Sequence, residues 1–104
     1  MSTQLLEQLN PTTRVLKRAQ YEAFEFSLFD GDVIVRNESH SHPKDHEYRV
    51  SIIDSVPTAC ECLADQHNDG PCKHRVAVAI RPLIIESVTS MRVATAETSI
   101  NASD

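Results

Sequence analysis

Three cysteines and one histidine lie in two closely spaced pairs in the second half of the chain, and this pattern limits the fold more than any other feature. Cys60 and Cys62 are separated by one residue, as are Cys72 and His74, and nine residues stand between the pairs. Three thiolates and one imidazole form the donor set of a tetrahedral structural zinc site. We therefore expect one structural Zn²⁺ ion, bound by all four side chains.

Other interpretations of the cysteines agree less well with this spacing. An odd number of cysteines does not suit a disulfide framework. Packing in an apolar core would not by itself arrange these residues in two pairs. A redox switch is a further alternative, but the C-x-C spacing is not the C-x-x-C spacing of redox motifs.

Length and composition indicate one small domain. The chain has 104 residues, with two tyrosines, three phenylalanines and no tryptophan. Such a chain buries a low fraction of its surface, so we expect the metal to contribute much of the folding free energy. No apolar run is long enough to span a membrane, and the N-terminus lacks the pattern of a secretory signal. We therefore expect a cytoplasmic protein.

Alternating apolar residues predict a small antiparallel sheet. Strands are expected over 24–28 and 32–36, joined by an Asp-Gly turn, and over 47–54 and 58–63. A helix is expected over 72–83, where Pro82 ends or kinks it. The predicted fold class is α+β, with about four strands in two hairpins followed by a zinc-anchored helix.

The chain outside the zinc motif divides into three predicted regions. Residues 1–13 form a flexible or short helical leader, and 14–85 form the domain that contains the motif at 60–74. Residues 86–104 are rich in Ser, Thr and Ala and are expected to be a disordered tail. On the zinc helix, helical periodicity predicts a face buried against the sheet, formed by Val76, Ala79, Ile80 and Leu83, and an exposed row formed by Lys73, Ala77 and Arg81.

The segment from Cys60 to His74, C-E-C-LADQHNDGP-C-K-H, resembles the SWIM zinc finger. The strands before it and the run CKHRVAVAI resemble small stand-alone SWIM domain proteins of salt-loving archaea. This resemblance implies a ββα zinc unit with Cys60, Cys62, Cys72 and His74 as ligands. It also implies a role in DNA binding or in protein–protein contact.

The remaining histidines offer a second, weaker metal pattern. His40, His42 and His46 have the spacing H-x-H-x3-H, but their polar surroundings favour a solvated loop between strands. His67 lies between the two ligand pairs, where it is a less favourable substitute for His74. We do not assign these residues as ligands.

The sequence favours a binding module and not an enzyme. A site with four protein ligands has no open position for a catalytic water, and no phosphate-binding loop or dinucleotide motif is present. Glu61 and Asp65 are close to the cysteines in sequence, and we expect both carboxylates to be solvated. No membrane and no small-molecule substrate are expected.

Two kinds of partner remain open. DNA binding would use positive side chains on the zinc helix and on the segment before the sheet, namely Lys73, Arg75, Arg81, Arg14, Lys17 and Arg18. The alternative is a protein–protein adaptor, for example in a recombination or transcription complex, which the net charge of −5 favours. The aromatic residues suit a base-stacking platform less well than the core of the sheet; they are Phe24, Phe26, Phe29, Tyr21 and Tyr48.

Overall fold

An Asp-Gly turn joins the first two strands of a four-stranded antiparallel sheet. The computed structural model describes residues 2–67 and 70–91. Asp30 and Gly31 have φ angles of 52° and 85°, which matches the twist of the flanking strands. The strands are β1 (Phe24–Phe29), β2 (Asp32–Asn37), β3 (Glu47–Ile53) and β4 (Val56–Cys60), in that order across the sheet. The predicted α+β fold with two hairpins is confirmed.

The second strand of the second hairpin begins earlier than the sequence indicates. Asp54 and Ser55 form the turn of this hairpin with φ angles of 51° and 64°, so β4 begins at Val56 rather than at residue 58. Strand β4 ends at Cys60, and Cys62 therefore lies beyond the strand. The predicted strand over 58–63 is wrong in both bounds, because Pro57 lies inside β4, as an edge strand permits, and the chain leaves the sheet after Cys60.

Helices precede and follow the sheet. The first, α1 (Ser2–Leu9), is the helical form of the predicted leader, and its Leu6 packs near the buried Ala19. Helix α2 (Thr13–Tyr21) follows Thr12, whose hydroxyl accepts a hydrogen bond from the Val15 N–H at 3.2 Å. The others are α3 (Leu63–His67), α4 (Lys73–Ala79), α5 (82–91) and a 3-10 turn (Pro43–Asp45) between β2 and β3.

Helix α4 lies between the sheet and the two N-terminal helices. Val76 and Ala77 are fully buried in a cluster with Ala19 of α2, while Val78 packs in a second cluster with Val33 of β2. The prediction that Ala77 belongs to an exposed row is therefore wrong. A helix covered on two sides buries more than one stripe, and periodicity alone does not reveal the second cover.

Pro82 separates α4 from α5. Helix α4 ends with Ile80 as its C-cap, and Pro82 is the first helical residue of α5, a position that its fixed φ angle favours. Leu83 therefore belongs to a new helix and is exposed, which corrects its predicted place on the buried face of α4.

The ordered domain extends beyond residue 85. Residues 86–91 are helical, and Val88 is only 1% exposed in the cluster with Val33 and Val78. This part of the predicted tail is consequently a packed helix, because Ile84, Ile85 and Val88 of α5 all pack against the same buried cluster. Residues 92–104 lie outside the part of the chain that the structure describes.

The aromatic residues do not all belong to the core. Phe24, Phe26 and Tyr48 are half-buried and pack against the buried clusters, as expected. Tyr21 is 82% exposed and Phe29 is 53% exposed, so the prediction that they are core residues is wrong. Tyr21 is the last residue of α2.

None of the helices within residues 2–67 and 70–91 is long and apolar enough to cross a membrane.

Candidate metal centre

The four predicted ligands come from the end of the sheet and the beginning of α4. Cys60 is the last residue of β4, and Cys62 follows it after one residue. Cys72 is the N-cap of α4, and His74 lies in its first turn. All four residues are buried, with between 2% and 7% of their surface exposed. The hairpin and the helix thus each contribute one pair of ligands.

The distances between the donor atoms fit a single tetrahedral ion. The four atoms lie within 4.8 Å of one another. The His74 Nδ1 atom is 3.8 Å from both the Cys60 Sγ and the Cys72 Sγ atoms. A tetrahedral zinc with Zn–S bonds of about 2.3 Å and a Zn–N bond of about 2.0 Å separates sulfur from nitrogen by about 3.5 Å. The four side chains form a site for one structural Zn²⁺ ion.

The thiols influence one another before a metal ion binds. Hydrogen bonds from Cys60 and Cys72 lower the pKa of Cys62. The hydrogen bond to Cys62 raises the pKa of Cys60, and burial raises it further. Zinc must therefore displace protons from the other thiols, and its binding is coupled to proton release.

The imidazole ring of His74 is held by aromatic neighbours. Its centroid lies 4.7 Å from the ring of Tyr48 and 6.0 Å from the ring of Phe24, which it meets edge to face. Such contacts restrict rotation of the ring. They keep Nδ1 directed towards the sulfur atoms.

The carboxylate of Asp65 connects the two ligand pairs. Its Oδ2 atom accepts a hydrogen bond from the Cys60 N–H at 2.9 Å, and its Oδ1 atom accepts one from the Cys72 N–H at 3.3 Å. Arg75 of α4 neutralises the carboxylate with an Nη1 contact of 2.9 Å. The side chain of Asp65 is 8% exposed, so the prediction that it is solvated is wrong. Asp65 therefore holds the two ligand pairs in position, as carboxylates that hydrogen-bond to metal ligands do in other sites.

The spacing of Asp65 carries the only sequence signal for this role. Asp65 precedes Cys72 by seven residues and follows Cys62 by three, and α3 turns it back towards both pairs. Glu61, by contrast, is exposed as expected, and its side chain accepts a hydrogen bond from the Arg49 N–H at 3.0 Å.

The other histidines do not form a second centre within the described residues, where the four Cys and His ligands are the single group suited to a metal. The rings of His40 and His46 stack face to face with centroids 3.6 Å apart and an interplanar angle of 7°. Parallel stacked rings direct their nitrogens along the ring planes and not towards one common point. The side chain of His67 lies outside the described part of the chain.

Two cations predicted to contact nucleic acid are engaged within the protein. The Nζ atom of Lys73 lies 2.7 Å from the Glu22 carboxylate, at the end of α2. Arg75 contacts Asp65 and also donates from Nε to the Pro57 carbonyl at 2.9 Å. Both side chains thus connect α4 to neighbouring elements.

Arg81 is engaged as well. Its Nη1 atom donates to the Ala77 carbonyl at 2.7 Å and to the Ala19 carbonyl at 3.5 Å. The guanidinium carbon lies 4.9 Å from the ring centroid of Phe26 and 5.9 Å from that of Phe24. Burial lowers the pKa of Arg81. Its role in the structure is to close the junction between α2, α4 and β1.

The remaining three predicted cations have a different environment. Arg14, Lys17 and Arg18 lie on α2, and all three are exposed. Within residues 2–67 and 70–91, none of the three forms an ion pair with a carboxylate. The structure therefore separates the six predicted cations into three engaged within the fold and three on an open helix face.

Comparison with known proteins identifies the zinc motif. Residues 48–81 match the family model of the SWIM zinc finger, from β3 to the residue before α5. The matched segment contains all four ligands of the metal centre. Neither the curated proteins nor the solved structures include a match to this chain.

Proposed function

We propose that this SWIM zinc finger protein is a binding module without enzymatic activity, that its partner is DNA, and that helix α2 provides the contact surface. The observation that carries the proposal is one row of exposed side chains on α2. It consists of Arg14, Lys17, Arg18 and Tyr21. The predicted cytoplasmic location is part of the same proposal.

The row follows from the geometry of the helix. Residues spaced by three and four positions share one helix face, which places the three cations and Tyr21 in line. Val15, Leu16 and Ala19 lie on the side of the helix that packs towards α4. Because Tyr21 is 82% exposed, a ring is available beside the positive charges. Cations for phosphates and an aromatic ring for a base are the groups that proteins use on nucleic acid.

The charge distribution favours one orientation on DNA. The outer face of the sheet carries Arg36 between Glu25 and Glu47, its cross-strand neighbours, and Glu38 lies near the same guanidinium. Helix α4 separates this acidic face from α2. Because the whole chain has a net charge of −5, a polyanion such as DNA is repelled by most of the surface and attracted to the cations of α2.

The donor set of the metal centre supports a non-enzymatic role. Catalytic zinc sites keep a coordination position for water or substrate, whereas four Cys and His ligands complete a tetrahedral sphere. The ion then contributes folding energy and positions α4 against the sheet. Helix α4 in turn supports α2.

Fluorescence anisotropy with labelled DNA tests this proposal. We expect saturable binding whose logarithmic salt slope is about −2.7 on duplex DNA, since each phosphate contact contributes about −0.9. The double variant Arg14→Glu, Lys17→Glu should weaken binding by at least about tenfold. Lys44→Glu is the control for a single charge reversal, to be compared with Arg14→Glu alone, because Lys44 is exposed in the 3-10 turn and not on α2. Absence of binding at low salt, or an equal loss in the control, would contradict the proposal.

Tyr21 separates single-stranded from duplex binding. Stacking of one base on an aromatic ring contributes about 1–3 kcal/mol. We therefore expect Tyr21→Ala to weaken binding to single-stranded DNA and to leave duplex binding nearly unchanged. An equal loss for both forms would argue against stacking.

The second candidate function is a protein adaptor, and a specific observation favours it. Phe29 and Ile53 are large hydrophobic residues, more than half exposed, at the same end of the sheet. Exposed apolar side chains beside charged ones are typical of protein contact sites. If the protein fails to bind DNA even at low salt, this surface becomes the better candidate.

A further inference from the structure

A groove of about 430 Å³ lies between the first half of α2 and the beginning of α4. This volume is within the range of sites that bind small organic ligands. Its lining combines positive and apolar side chains; those that matter here are Arg14, Arg18, Lys73, Val15, Ala64 and Pro71. The groove therefore offers two kinds of contact at once.

The positive charge in the groove comes from the two arginines. Lys73 is compensated by Glu22 at 2.7 Å, so it adds little net charge. Arg14 and Arg18 are exposed and lie one helical turn apart. A guanidinium group presents paired N–H donors that match two phosphate oxygens. Two such groups on one wall favour a phosphate over a carboxylate of lower charge.

The apolar part of the groove favours a flat ring. Pro71 is buried, Val15 is half-buried, and Ala64 has a small side chain on α3. Inorganic phosphate would contact the arginines and leave this surface exposed to water. A nucleotide fills both parts, because its base is apolar on its faces and its phosphate is anionic.

We infer that the groove binds a single nucleotide, with the phosphate on Arg14 and Arg18 and the base against Val15, Ala64 and Pro71. This assignment rests on the proposed function, under which the bound nucleotide is an unpaired residue of a DNA strand. A base inside a duplex is stacked on both faces, so it must leave the stack before it can enter a groove.

Titration of the isotope-labelled, zinc-loaded protein with deoxyadenosine monophosphate tests the assignment. We expect saturable NMR shifts at Gly70 and Lys73, and binding at least about tenfold tighter than that of deoxyadenosine or inorganic phosphate. The three ligands distinguish a nucleotide site from a site for any anion. Equal affinity for inorganic phosphate, or the absence of saturable shifts, would overturn the assignment.

Two variants and one control make the test specific. Arg18→Ala removes one phosphate contact, and Ala64→Trp fills the groove from an exposed position on α3. Both should weaken nucleotide binding by at least about tenfold. Lys44→Ala removes the same charge as Arg18→Ala from the exposed 3-10 turn, which does not line the groove, and we expect no effect. If Arg18→Ala and Lys44→Ala have equal effects, the groove is not the binding site. Zinc content and the NMR spectrum establish that each variant is folded.

Binding of a single-stranded oligonucleotide separates the groove from the proposed function. If the wild-type protein and Ala64→Trp bind the oligonucleotide equally well, the groove assignment is wrong while DNA binding stands. If the mononucleotide saturates the groove but no DNA binds at low salt, the groove assignment stands and the proposed function is wrong. Loss of oligonucleotide binding in Ala64→Trp, with α2 unchanged, supports both.

Discussion

The substitution Asp65→Ala removes the carboxylate that joins the two ligand pairs. Three donors lose their acceptor: the backbone N–H groups of Cys60 and Cys72, and the guanidinium of Arg75. All three lie in a region where water has little access, because the side chain of Asp65 is 8% exposed and that of Arg75 is 17% exposed. The variant therefore leaves two N–H groups and one positive charge without their partner.

The expected loss is worked out from these contacts. A buried donor without an acceptor costs about 1–3 kcal/mol, and a buried ion pair that loses one partner costs about 3–5 kcal/mol. Arg75 keeps its hydrogen bond to the Pro57 carbonyl, and one carboxylate serves all three donors, so the costs do not add. We expect the free energy of unfolding to fall by about 3–4 kcal/mol. Because two of the donors belong to zinc ligands, zinc affinity should fall by about 10–100-fold.

Zinc affinity is measured by competition with a chromogenic chelator, and stability by denaturant unfolding at saturating zinc. Glu61→Gln is the matched control, because Glu61 is an exposed neighbour whose oxygen accepts a single backbone N–H. It should change stability by no more than about 0.5 kcal/mol. If Asp65→Ala binds zinc within about twofold of the wild-type affinity, Asp65 does not position the ligands.

Three further predictions concern the metal, pH and the last helix. Cys72→Ser should lose zinc binding and NMR dispersion together, since Cys72 is both a ligand and a core residue; a native-like spectrum without metal would refute the coupling. Burial alone would raise the pKa of Glu22, but its hydrogen bonds to Lys73 and Asn37 lower it below 4.5. The resulting stabilisation is complete above pH 4.5 and is lost as the pH falls through the lower folded-state pKa. The free energy of unfolding should therefore depend less on pH in that range for Glu22→Gln than for the wild-type protein. Val88→Ala should reduce the free energy of unfolding by about 1–3 kcal/mol, because it removes buried apolar surface and leaves a cavity. The control Ser90→Ala, at an exposed position of α5, should have little effect. Equal effects of the two variants would show that α5 is not docked.

The features that the sequence predicted well depend on neighbouring residues. The ligand pairs are set by one-residue spacings, and the first hairpin is set by Asp30-Gly31 between alternating strands. Such signals are complete within a few positions, so a single sequence reveals them. Strand β4 begins two residues before the predicted strand, because it contains Pro57, which only an edge strand accepts.

The features that the sequence did not reveal depend on distant partners. Lys73 meets Glu22 across 51 positions, and Arg81 reaches the Ala19 carbonyl across 62 positions. A charged residue on a helix gives no sign of such a partner, so these cations were predicted on an exposed face. Asp65 is a similar case, because its carboxylate acquires its role only when α3 brings it between Cys60 and Cys72.

The same long-range contacts connect the metal centre to the proposed DNA surface. Lys73 stands between the ligands Cys72 and His74, and its side chain holds Glu22, the residue after α2. Loss of zinc would free the beginning of α4 and with it the position of Lys73. None of the cations Arg14, Lys17 and Arg18 is a metal ligand. The direction of α2 nevertheless depends on the contact between Lys73 and Glu22 and on the hydrogen bond from Arg81 to α2. We therefore expect DNA binding to require zinc, because zinc fixes the position of α2. We also expect Glu22→Gln to weaken DNA binding in the zinc-loaded protein, although it removes a negative charge near the cations of α2. Stronger binding by that variant would show that repulsion by Glu22 outweighs its role in placing α2.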